Sequence, residues 1–182
     1  MRIVVGVTGA SGVILASKLL QILKEKQVET HLIVSDIAKK VADLEHVSFN
    51  ADLEYAIRDF TANLASGSFF TSGMVVIPCS MNSLAKIASG VEDNLILRAA
   101  AIHLKEGRKL VIVPRETPLN EIQIRNLLKV KRAGAHILLP VLTFYHEPKT
   151  IDDMIGFVLG KLLDLLGIEN TLYKRWSERD LS

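Results

Sequence analysis

The opening of this chain restricts its fold more than any other stretch. An apolar run, Arg2–Val7, passes through Thr8-Gly9-Ala10-Ser11-Gly12 directly into an amphipathic pattern. Strand, glycine turn and helix in that order make the first half of a parallel βαβ unit, because parallel strands need a crossover element between them. The turn also has a chemical reading. Glycines let backbone N–H groups approach an anion, and the N-terminus of the following helix adds a partial positive charge. The expectation is an α/β protein with a phosphorylated ligand at this turn.

The alternation continues almost to the end of the chain. Short aliphatic runs at 3–7, 30–34, 74–78, 110–114 and 136–140 predict strands buried on both faces. Helices are predicted at 12–26, 36–45, 53–63, 80–88, 94–104, 119–131 and 151–166, with a further short strand possible near 68–71. The last helix is well marked. Thr150 and Asp153 have capping-box spacing, Ile155, Leu159, Leu162, Leu163 and Leu166 form one stripe, and Gly167 can end it. The predicted fold is a three-layer, Rossmann-like or flavodoxin-like parallel sheet with helices on both faces. With 182 residues, a single domain spanning 1–182 is expected. The charged tail, 170–182, carries Trp176 and is expected to dock on that domain or on a neighbouring subunit.

Composition narrows the partners. A formal net charge of +2 gives no reason to expect nucleic acid or a membrane surface, and the single cysteine, Cys79, excludes an internal disulfide. The first twenty residues mimic a signal peptide only until glycines interrupt them, so a cytoplasmic protein is expected. The five histidines show no metal-ligand spacing, and Arg125, Lys129, Lys131 and Arg132 read as a solvated helix face.

Polar residues collect just beyond the carboxyl ends of the predicted strands, where open parallel sheets bind ligands. They are Thr8 to Ser11, Ser35, Cys79 to Ser83, Arg115 with Glu116, and Thr143 to His146. Ser35 and Ser80 are each also well placed as helix N-caps. A short-chain dehydrogenase is the nearest rival, with Gly6, Gly9 and Gly12, Asp36, and a Tyr145/Lys149 pair. It fails because Leu15 stands where a further glycine is needed, and because Pro148 interrupts the helix that the Tyr-Lys pair requires.

The segment Pro78-Cys79-Ser80-Met81-Asn82-Ser83-Leu84-Ala85-Lys86-Ile87-Ala88 resembles the strand-to-helix turn of the flavin-containing decarboxylase-like superfamily. Cysteinyl decarboxylases of that group carry Pro-x-Met-Asn after the next strand; this chain has Pro114-Arg115-Glu116-Thr117-Pro118 instead. That string is similar to the flavin prenyltransferase (UbiX-type) family, as are Leu104-Lys105-Glu106, Phe144-Tyr145-His146-x-Pro148, Ala65-Ser66-Gly67-Ser68 and Arg175-Trp176.

The resemblance implies transfer of a dimethylallyl group from dimethylallyl phosphate to reduced FMN, without a metal. The product, prenylated FMN, would serve a downstream decarboxylase (UbiD-type), and the assembly would be a homo-oligomer, a trimer-based dodecamer. By the same resemblance, Gly9, Ala10, Ser11, Ser35, Ser80, Met81, Asn82, Ser83 and Arg115 hold FMN. Arg98, Lys105, Arg115, Tyr145 and Lys161 face the donor phosphate, and Ser11, Glu45 and Glu116 carry the catalytic proton chemistry.

Each assignment has a plainer reading. Lys105 suits a solvated helix end, Glu116 an ion pair with Arg115, and Glu45 opposes the dipole of the helix that it ends. Lys161 stands where the family usually has arginine, which keeps the charge and loses the bidentate fork. Ser11 lacks a His and Asp partner set and does not read as a hydrolase nucleophile. Cys79 reads as a small buried hydrophobe. The alternative functions are a flavin-dependent decarboxylase of the same superfamily and a non-catalytic FMN carrier.

Overall fold

The computed structural model describes residues 1–176 of the chain. It divides into two compact units, Met1–Leu139 and Pro140–Ser182.

The first unit is a six-stranded, wholly parallel sheet. Its strands are β1 (Arg2–Val7), β2 (Glu29–Val34), β3 (Leu53–Tyr55), β4 (Gly73–Cys79), β5 (Lys109–Pro114) and β6 (His136–Ile137). They lie in the order β3-β2-β1-β4-β5-β6. Crossovers contain α1 (Ile14–Glu25), α2 (Asp36–Leu44), α3 (Met81–Ala88), α4 (Leu95–Lys105) and α5 (Glu121–Arg132). The central strands are sealed on both faces, with Val4, Val5, Val75, Val76, Val111 and Ile112 fully buried. The chain leaves β1 toward one side of the sheet and later returns to its other side, so the switch point lies between β1 and β4.

One predicted element is replaced. The segment 53–63 is not a helix: Leu53–Tyr55 is an edge strand paired in parallel with β2. The cause is Asp52, whose carboxylate accepts the Thr30 N–H and the Thr30 hydroxyl, each at 2.8 Å, while its own N–H donates to Thr30 Oγ1 at 3.0 Å. That three-bond clasp sets the segment alongside β2, and a weak helical pattern does not overcome it. Nor is 68–71 a strand; pairing begins at Gly73. The last predicted strand contracts to His136–Ile137.

Two buried histidines close the amino-terminal side of this sheet. The His31 ring contacts Tyr55 Oη at 2.9 Å and Glu29 Oε1 at 3.0 Å. His103 contacts Thr71 Oγ1 at 2.9 Å and the Ala99 carbonyl at 2.8 Å. Burial pushes both below the ordinary imidazole value, outweighing Glu29 at His31 and the Ala99 carbonyl at His103. The native state therefore takes up fewer protons than the unfolded chain once the pH falls through the unfolded histidine range. The melting temperature is expected to drop as the pH is lowered from about 7.5 to about 5.5, above the carboxylate range. Thermal denaturation across that window, with a His103→Gln variant showing a shallower drop, checks it; a flat wild-type profile contradicts it.

In the second unit, α6 (Ile151–Leu166) starts at the expected Thr150–Asp153 capping box and stops at Gly167, which is left-handed at φ 77°. Residues 170–176 fold back on α6. Asp164 accepts the Tyr173 hydroxyl at 2.7 Å and the Arg175 guanidinium at 2.7 and 3.0 Å. Arg175 foremost, with Tyr173 and Asn170, holds the Asp164 carboxyl at about 2 against the effect of burial. The remainder of the tail expected to dock, 177–182, lies outside the described residues. No helix among the described residues is long and apolar enough to cross a membrane.

Candidate active site

The carboxyl edge of the sheet is built around Thr8, which the sequence places in the first turn without its role as a tie between strands. Thr8 is buried, and its hydroxyl donates to the Pro78 carbonyl at 2.9 Å and accepts the Ser80 N–H at 2.7 Å. Its N–H also reaches the Pro78 carbonyl, at 3.2 Å. Thr8 thus ties β1 to β4 at the switch point. Neighbouring loops are stitched in the same way: Ser35 N–H donates to the Val7 carbonyl at 3.0 Å, and Arg115 N–H to the Cys79 carbonyl at 3.1 Å. A hydroxyl directly after a doubly buried strand must find partners, which was the available signal.

These stitches place three turns side by side. Ser35 caps α2 by accepting the Ala38 N–H, and Ser80 caps α3 by accepting the Ser83 N–H, both at 3.2 Å. Both are therefore N-caps, each contributing about 1 kcal/mol, as their positions in the sequence suggest. Ser80 Oγ also donates to Ser83 Oγ at 3.0 Å. Met81 and Asn82 open α3, and the N–H groups of a helix's first turn have no partner inside the helix.

The first turn differs from the open cradle that its glycines suggest. Gly12 has φ 92°, which only glycine adopts without strain, and a Cβ on Gly9 would overlap the Ile37 side chain. The Gly12 and Val13 N–H groups are already occupied. The Glu45 carboxylate accepts Gly12 N–H at 2.9 and 3.2 Å and Val13 N–H at 3.1 Å. Burial alone would raise the Glu45 carboxyl, but the Ser11 hydroxyl, these two N–H groups and the Arg115 charge together hold it below the usual range. Glu45 is thus an ionised internal cap for α1, and it orients the Ser11 hydroxyl. The helix N-termini at this edge without such a carboxylate cap are those of α2 and α3.

Arg115 and Glu116 follow β5 on the exposed rim. The Glu116 carboxylate accepts the Thr117 N–H at 3.1 Å. Cys79 is fully buried, and desolvation pushes its thiol up to about 12, which makes it a packing residue. Among the described residues no group of His, Cys, Asp and Glu could hold a metal ion.

The residues expected at the donor phosphate are more dispersed. Arg98 donates to the Ala65 carbonyl at 3.1 Å and pairs with Glu92 at 2.6 Å. Lys105 ends α4, just before β5 begins at Lys109. Arg115 lies beyond the other end of that six-residue strand, which spans roughly 20 Å. Within one chain, therefore, Lys105 and Arg115 do not meet. Tyr145 and Lys161 belong to the second unit. There Tyr145 packs edge-on against Phe157 and Trp176, at 6.0 and 5.3 Å between ring centroids, and Lys161 lies 6.0 Å from the Tyr173 ring. Phe157 and Lys161 are one helical turn apart, so Tyr145 and Lys161 share one face of α6.

A family model described as Flavoprotein matches residues 1–163. The flavin prenyltransferase UbiX of Methanocaldococcus jannaschii is 47% identical, over 97% of this chain and 98% of that protein. This chain belongs to the flavin prenyltransferase family of flavoproteins. Solved structures share the fold over nearly the whole chain. AnUbiX (PadA1), in complex with FMN and dimethylallyl pyrophosphate, superposes with a TM-score of 0.93 at 45% identity, covering 97% of each chain. A dodecameric FMN-dependent UbiX-like decarboxylase from Escherichia coli O157:H7 superposes with a TM-score of 0.92 at 44% identity, over 97% of this chain and 100% of that one.

Proposed function

We propose that this flavin prenyltransferase joins the dimethylallyl group of dimethylallyl phosphate to reduced FMN at the carboxyl edge of its sheet. The observation that carries the reading is the convergence of the Gly9, Ala10 and Ser11 turn, the N-termini of α2 and α3, and Arg115 around the Thr8 stitch. Helix N–H groups, serine hydroxyls and a guanidinium are the donors that a phosphate monoester dianion requires, so the site fits FMN. Gly9, Ala10, Ser11, Ser35, Ser80, Met81, Asn82, Ser83 and Arg115 would hold it. Reduced FMN supplies the nucleophilic ring when bound.

The chain's own groups manage charge and protons. Ser11, fixed on the Glu45 carboxylate, and Glu116, on the rim beside Arg115, are the candidate proton carriers. Arg98, Lys105, Arg115, Tyr145 and Lys161 are assigned to the donor phosphate, where cations and a phenol stabilise the charge that develops as the carbon–oxygen bond breaks. Because Lys105 and Arg115 stand at opposite ends of β5, Lys105 is assigned to the site of a second copy. Assembly as a homo-oligomer supplies that copy, and a dodecamer built from trimers is the proposed form. Ile124 and Leu128, one helical turn apart on α5, are exposed apolar surface available for it. Prenylated FMN would pass to a UbiD-type decarboxylase.

Anaerobic incubation with reduced FMN and dimethylallyl phosphate or pyrophosphate, followed by mass spectrometry of the extracted flavin, tests the activity. Flavin carrying the dimethylallyl unit is expected. Unmodified flavin, with turnover of a carboxylic acid, would return the chain to the decarboxylase reading. Lys105→Ala and Arg115→Ala subunits, each strongly impaired alone, are expected to regain part of the lost activity when coassembled. Mixed assemblies that regain none rule out the second-copy assignment.

A further inference from the structure

We infer that Glu106 and Gly67 are positioning residues for Lys105: the Glu106 carboxylate holds the Lys105 ammonium in a niche that only glycine at position 67 leaves open. The inference rests on the assignment of Lys105 to the donor phosphate.

Successive residues on a helix point about 100° apart and do not ordinarily pair. Lys105 and Glu106 nevertheless form an ion pair. Glu106 is the C-cap of α4, at φ −87° and ψ 1°, so its side chain leaves the helical register and turns back on the preceding residue. The Lys105 ammonium is the main cause holding the Glu106 carboxyl below its usual range.

Gly67 lies directly against this pair. A Cβ there would stand 2.5 Å from Glu106 Oε1 and 2.9 Å from Lys105 Nζ. The loop carrying Gly67 is itself fastened. Arg108 donates to the Gly67 carbonyl at 2.6 Å and to the Phe69 carbonyl at 2.9 Å, and its guanidinium lies 5.2 Å from the Phe70 ring centroid. Arg98 Nε holds the Ala65 carbonyl at 3.1 Å, and Ser66 Oγ bonds Ser68 Oγ at 2.8 Å. Two arginines therefore clamp 65–69 onto the structure around α4.

The outcome is a lysine whose ammonium is held by Glu106 while its side chain stays 54% exposed. A free lysine on a last helical turn would spend its time over many rotamers. A lysine that must reach the site of another copy acts at a defined point only if its base is rigid, and a misplacement of about 1 Å can cost a factor on the order of a hundred in rate. Gly67, Glu106 and the clamp supply that rigidity.

Gly67→Ala separates position from folding, because its new methyl meets only the ends of two flexible side chains. Melting temperature and FMN affinity are expected to match wild type in Gly67→Ala and Glu106→Gln. At saturating reduced FMN and donor, kcat is expected to fall about tenfold in each, with Glu106→Asp recovering part of the loss. On a Lys105→Ala background neither change should cost anything more, because no ammonium remains to be placed. Unchanged kcat in both single variants overturns the inference, and so do losses that add to that of Lys105→Ala. Wild-type donor kinetics in Lys105→Ala itself would overturn the underlying assignment, which keeps the two failures distinct.

Discussion

Glu116→Gln is expected to bind FMN as wild type does and to lose single-turnover prenyl transfer by about two orders of magnitude or more. The residue follows β5 on an exposed rim, one position after Arg115, and its carboxylate holds the Thr117 N–H at 3.1 Å. Glutamine keeps an oxygen for that contact, so the turn survives, and it removes the charge and the exchangeable proton. The cradle formed by Thr8, Ser80 and the α3 N-terminus does not involve Glu116, so flavin affinity should not follow the rate. Anaerobic single-turnover measurements paired with FMN titrations decide the matter. Wild-type rates would leave Glu116 only its bond to Thr117.

The second large effect is expected at Ser11. In Ser11→Asp, a carboxylate replaces the hydroxyl that donates to Glu45, so two like charges meet beside the Gly12 and Val13 N–H groups. Glu45 loses a donor, the α1 cap loosens, and the phosphate of FMN meets a second negative charge at the first turn. Hydrogen bonds to charged groups contribute about 1.5–3 kcal/mol each, so a loss of FMN affinity on the order of a hundredfold is expected. Ser11→Ala, which removes the hydroxyl without adding charge, should lose considerably less. Isothermal titration with FMN distinguishes the two variants. Unchanged affinity in Ser11→Asp would remove the first turn from the binding site.

Much of this protein is legible locally. The alternation of aliphatic runs and amphipathic stretches determines a parallel sheet, because buried strands and helical stripes announce themselves within a few residues. The α6 start and stop are likewise written in Thr150, Asp153 and Gly167, all in contact with their own turn. The gathering of polar residues at strand carboxyl ends follows from the same alternation, since in a parallel sheet all those ends face one way. The string Arg115-Glu116-Thr117-Pro118 adds the family.

What tertiary structure decided depends on partners far apart in sequence. Asp52 converts a helical pattern into β3 by clasping Thr30, 22 residues away. Glu45 fills the N–H groups of the glycine turn from 33 residues away, which turns an apparent anion cradle into an internally capped helix and leaves the α2 and α3 termini as the open ones. Thr8 joins Pro78 across 70 residues. Lys105, placed by its motif among phosphate ligands, sits beyond the wrong end of β5 for its own chain, and the loop beneath it is fastened by Arg108 from 41 residues away. Sequence periodicity specifies which face a residue occupies, because that depends on its nearest neighbours. Which groups a side chain meets, and whether an N–H is open or taken, depends on how distant segments pack, and only the folded chain determines that.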